Sequence, residues 1–173
     1  MYDIYLNDRD DHWRYVLGKS APGKLIVVGL NPSTATREKA DNTVAKAEKV
    51  ASLQGYSSGF VMLNLYPLRG TDYRLMPDTI DPEAMETNLK WIEAIVATEP
   101  TPTIWAAWGE SVLDKPFFRS GARQLIDRVR KYKPRWLHYG ALTQNGHPRH
   151  PRQLSYDWTF QDFDADTYLQ KLT

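Results

Sequence analysis

Apolar residues along the chain gather into short β-branched runs separated by stretches with helical spacing. Lys24-Leu-Ile-Val-Val-Gly-Leu30, bounded by Pro22-Gly23 and Asn31-Pro32, has no polar alternation and predicts a strand buried on both faces. Asp41 or Asn42 can cap a helix running to about Gln54, where Gly55 would stop it. Gly59 to Tyr66 predicts a second buried strand, interrupted near its end by Asn64. Asp81-Pro82 has the order of an N-cap and first turn, and Met85, Leu89, Ile92 and Val96 then form one helical stripe. Thr103 to Trp108 predicts a third strand, Ala122, Leu125, Ile126 and Val129 a third helix, and Arg135 to Gly140 a fourth strand. Trp13 to Leu17 fits an edge strand. Strand and helix alternating three times predict a layered α/β domain around a four-stranded, mostly parallel sheet. Loops leaving the carboxyl ends of such strands converge on one crevice.

The whole chain of 173 residues is expected to be a single domain. A content of 42% hydrophobic and 25% charged residues is that of a globular chain. No apolar run reaches the length of a membrane helix, and the acidic N-terminus has no signal-like apolar stretch, so a cytoplasmic protein is expected. The absence of cysteine removes disulfides, thiol nucleophiles, iron–sulfur clusters and cysteine-bound zinc. The net charge of +1 hides an asymmetry. Between Lys115 and Arg152 stand ten Lys/Arg and the single acid Asp127, a local excess that would suit a polyanion, or else a solvated helix face.

Three segments stand out for chemistry. Gly29-Leu-Asn-Pro-Ser-Thr-Ala35 turns sharply after the first strand and presents amides and hydroxyls there, as a mere structural turn also would. Asn64, set among apolar neighbours, has an amide that either satisfies the core or reads a base edge. Gly146-His-Pro-Arg-His-Pro-Arg152 is a rigid loop of imidazoles and guanidiniums; its prolines forbid the helix that would align two metal-binding histidines, so neither a metal nor another cofactor is expected. Gly18-Lys19-Ser20 lacks the leading glycine of a phosphate loop, and Ser33 and Ser111 lack a nucleophile elbow.

Gly29-Leu-Asn31-Pro32, Val61-Met-Leu-Asn64, Ala106-Ala-Trp108-Gly109 and His147-Pro-Arg-His-Pro151 occur in the order of the motifs of the uracil-DNA glycosylase superfamily, which the chain resembles. More closely, residues 25–151 resemble a family of bacterial and phage domains of unknown function, number 1643. Its marks are Gly-Leu-Asn-Pro-Ser-Thr-Ala, Asn64-Leu-Tyr-Pro-Leu-Arg-Gly-Thr71 and Gly-His-Pro-Arg-His-Pro. The superfamily resemblance implies a three-layer α/β/α fold and a nucleobase, nucleotide or nucleic-acid ligand, with hydrolysis of an N-glycosidic bond as the reaction. It implies that Asn31 holds a water, His147 donates to the leaving base and Asn64 reads its edge. Tyr66 or Trp108 would stack on the base, with Ser33, Thr34, Arg69, Arg149 and His150 completing the binding set. Asn31 stands where the most active glycosylases carry a carboxylate, and an amide cannot act as a general base. Ser33 replaces the residue that guards against thymine, and Arg149 and His150 replace the apolar wedge used on duplex DNA. A nucleotide-directed hydrolase or transferase, a non-catalytic binding module and a protein-interaction domain are the alternatives.

Overall fold

Seven strands form one sheet in the computed structural model, which describes residues 1–172. They are β1 (Ile4–Asn7), β2 (Arg14–Lys19), β3 (Leu25–Gly29), β4 (Phe60–Asn64), β5 (Thr103–Ala106), β6 (Arg135–Tyr139) and β7 (Phe160–Asp162), in the order β1-β2-β4-β3-β5-β6-β7. The inner four, β4-β3-β5-β6, pair in parallel and are the four apolar runs of the sequence. The sheet is nevertheless not four-stranded. β2 adds antiparallel to β4, β1 to β2 and β7 to β6. The segment expected at an edge is therefore covered by β1. The two true edges are only four and three residues long and partly exposed, too short for periodicity to mark them.

Four helices cover the sheet: α1 (Asn42–Leu53), α2 (Pro82–Ala97), α3 (Pro116–Val129) and α4 (Ala165–Lys171). The alternation within β3 shows how both faces are used. Leu25 and Val27 pack with Val44, Ala47 and Val50 of α1, while Ile26 and Val28 share a second core with stripes from α2 and α3. Each such fully buried aliphatic side chain contributes about 1.5–3 kcal/mol by leaving water. Asp41 accepts from the Val44 amide and Asp81 from the Ala84 amide, so two helix starts are fixed by the carboxylates that the sequence placed there. Gly121 lets α3 lie directly on the end of β4; a Cβ there would stand 2.3 Å from the Leu65 carbonyl oxygen. No helix among the described residues is long and apolar enough to cross a membrane.

The chain leaves β3 for β4 on one side and then returns to place β5 on the other. Loops beyond the carboxyl ends of β3 and β5 thus diverge, which opens a crevice at this switch in strand order.

Candidate functional site

A cleft of about 470 Å³ occupies that position, within the range of small-molecule sites. Every parallel strand sends a loop to it: Asn31 and Ser33 after β3, Gly70 to Arg74 after β4, Trp108 to Ser111 after β5, and His150, Arg152 and Gln153 after β6, with Thr43 from α1. Its wall is rich in hydroxyls.

Asn31 is held in one orientation. Its Nδ2 donates to the Pro32 carbonyl (3.0 Å) and the Gly70 carbonyl (2.8 Å), leaving Oδ1 as an acceptor without a protein partner among the described residues. The loop around it is anchored from behind. Asp41 accepts from the Ala35 amide (3.2 Å), and Arg14 and Arg69 both donate to the Ala35 carbonyl. Arg14 is buried, and desolvation lowers its pKa to about 10. Arg69 also grips both Asp11 oxygens (2.9 Å) and the Tyr5 hydroxyl (2.6 Å). Expected as a ligand contact, Arg69 instead spends its donors on the protein. Thr34 is exposed and does not line the cleft, whereas Ser33 does, 3.4 Å from Thr71 Oγ1.

The two histidines of the last loop differ. His147 is buried and does not line the cleft. Its Nδ1 lies 2.8 Å from the Tyr168 hydroxyl, which accepts from the Trp108 indole (3.0 Å). An indole can only donate, so the phenolic proton is directed to Nδ1, and His147 is assigned the Nε2–H tautomer. Desolvation lowers its pKa, which favours the neutral ring. His150 does line the cleft, and its Nδ1 accepts from the Arg152 amide (3.1 Å), so it too is an Nε2–H tautomer. Desolvation, with Arg152 adding to it, drives its pKa down to about 4. The imidazole on the cleft wall is therefore that of His150.

Asn64 lies beneath the first loop. Its Oδ1 would stand 3.1 Å from a Cβ on Gly29, its register partner, and its buried Nδ2 has no hydrogen-bond partner. The Asn64 carbonyl accepts from Asn88 Nδ2 (2.9 Å). Asn64 does not line the cleft, so of the trio Asn31, Asn64 and His147 only Asn31 does.

Tyr66 is stacked on Phe117 with centroids 4.3 Å apart, and its hydroxyl accepts from the Asp81 amide. It is a core residue with no face to offer a base. Trp108 borders the cleft yet is fully buried among Trp136, Phe163 and Tyr168, so its ring does not serve as a stacking platform either. Arg149 donates to the Ala141 carbonyl (2.8 Å) and lies over Trp158.

Besides buried Trp108, Tyr73 lines the cleft, its hydroxyl 2.8 Å from Ser111 Oγ and 2.5 Å from Asp114. Sequence reasoning passed over it because it sits in a polar loop; an isolated aromatic ring in such a loop was the available signal.

Half of the cations in the basic run are paired with acids. Lys115 is bound to Asp78 (2.6 Å), Arg128 to Glu86 and Glu93, Arg130 to Asp127 and Asp166, Lys131 to Glu93, and Arg135 to Asp162. Arg123 donates to the Leu172 carbonyl. Acids mostly remote in sequence thus offset half of the excess seen along the chain, while Arg119, Lys133 and Arg152 keep unpaired side chains among the described residues.

The model of a family described as "Protein of unknown function (DUF1643)" matches residues 14–152. No curated protein and no solved structure matches the chain.

Proposed function

The chain belongs to the DUF1643 family, and we propose that it binds a nucleoside or nucleotide in the cleft beyond β3 and β5, with hydrolysis of the N-glycosidic bond as its reaction. The observation that carries this reading is Asn31. Its amide nitrogen is tied to two carbonyls, so its oxygen is presented at the cleft as an acceptor. Such an acceptor can hold a water beside the anomeric carbon. As the base leaves it takes the electron pair of the glycosidic bond, while the water oxygen bonds to the sugar and its released proton passes through solvent to the departing base. A neutral imidazole N–H aimed at the departing base would lower the barrier by about 3 kcal/mol. His150, rather than His147, stands on the wall where that donor is needed. The motif likeness to uracil-DNA glycosylases supports the same reading. Free nucleosides and nucleotides suit the site better than long nucleic acid, because five of the ten cations of the basic segment are already paired with acids of the protein.

Chromatography of reactions with natural and modified nucleosides, nucleotides and oligonucleotides tests the reaction. Release of free base, lost in Asn31→Ala and reduced in His150→Ala, is expected. Calorimetric binding of the same ligands with no base released favours a second reading, a non-catalytic binder. That reading draws on Asn31 being an amide that cannot accept a proton from water. No binding by any of these ligands would overturn both.

A further inference from the structure

Three cations of the basic run, Arg119, Lys133 and Arg152, have side chains with no hydrogen bond or ion pair among the described residues, and of these Arg152 lies on the cleft wall. The other guanidinium on the wall, Arg74, is held by both oxygens of Asp72. Asp72 and Glu110 also line the cleft, but no carboxylate among the described residues is paired with Arg152. Asp41 accepts from the Val44 and Ala35 amides, Glu110 accepts from Asn145, and Asp114 accepts from Tyr73. Lys46 approaches on the same side, its Nζ donating to the Arg152 carbonyl (3.0 Å). This wall therefore carries a forked donor, with the hydroxyls of Thr43 and Ser33 also on the cleft and Lys46 outside its lining.

From this arrangement we infer that Arg152 binds an anionic group of the ligand, making a nucleoside 5′-monophosphate, rather than the uncharged nucleoside, the preferred occupant of the cleft. The inference rests on the nucleoside reading above and narrows it. A guanidinium fork matches two phosphate oxygens, and the interaction weakens as salt screens it. No structural bond would be lost on removing the side chain, so the folded protein should tolerate its replacement.

The test is calorimetric titration of the full chain, and of R152Q, with the four common ribonucleosides, their 5′-monophosphates and ribose 5-phosphate. At least one monophosphate should bind about tenfold or more tightly than its nucleoside. That advantage should shrink in high salt and disappear in R152Q, whose melting temperature and nucleoside affinity stay as in the parent. Equal affinity for nucleoside and monophosphate, or an advantage that survives in R152Q, overturns the role of Arg152 while the nucleoside reading stands. Ribose 5-phosphate binding as tightly as the monophosphates, through Arg152, upholds the anion site and overturns the need for a base. Silence from every probe removes both.

Discussion

Tyr168→Phe removes a single oxygen and asks whether the Trp108–Tyr168–His147 chain matters. That oxygen accepts from the Trp108 indole at 3.0 Å and lies 2.8 Å from His147 Nδ1. All three residues are at most 5% exposed, so water cannot readily replace it. Phenylalanine keeps the ring packing against Phe163 and Trp108 but leaves one buried donor and one buried acceptor without partners. At about 1–3 kcal/mol for each stranded group, the loss should fall near 2–6 kcal/mol. For a chain of this length each kcal/mol lowers the melting temperature by roughly 2–4 °C. Thermal and urea denaturation measure the loss, and nitrogen NMR of the imidazole reports the tautomer. The parent should show a bare Nδ1 and a protonated Nε2 at His147, and the variant a mixture. A variant as stable as its parent, with an unchanged imidazole spectrum, would refute the hydrogen-bond directions assigned here.

Gly121→Ala should destabilise by about 1–3 kcal/mol or more, because its methyl would meet the Leu65 backbone rather than a yielding side chain; chemical denaturation decides this. Lys24→Met should cost about 3–5 kcal/mol by leaving Glu99 charged and buried, and pairing it with Glu99→Leu should recover most of that loss, since both partners lie under 10% exposed. The pKa of His150 falls from the ordinary 6.5 to about 4 in the fold, so between those values the unfolded chain binds the proton that the native state refuses. Stability should therefore decline as pH falls from 6.5 towards 4, by on the order of 2–3 kcal/mol, with His138 and His147 shifted in the same direction. Urea midpoints across that range, compared with His150→Gln, should show a shallower slope in the variant.

The four parallel strands and the starts of α1 and α2 were legible along the chain because each rests on local information. A strand buried on both faces must be apolar throughout, and a helix start needs a short acceptor such as Asp41 or Asp81 beside its free amides. β1, β7 and α4 were not legible, since three to seven partly exposed residues carry too little periodicity. The first loop was identified as a site segment, and Asn31 and Ser33 do line the cleft.

Which histidine reaches that cleft, which aromatic ring faces it and which cations remain free were decided only by tertiary packing. His147 and His150 have the same chemistry three residues apart, yet one lies against Tyr168 from α4 and the other caps a turn at the cleft. Tyr66 looked available until Phe117 covered it, and of the basic run, which looked like a surface for polyanions, Arg128, Arg130, Lys131 and Arg135 are taken up by acids from α2, β7 and α4. The physical reason is common to all of these. Burial and charge pairing depend on distances through space between residues that can be dozens apart in the chain, whereas periodicity and capping act within a few residues and leave their mark on the sequence itself.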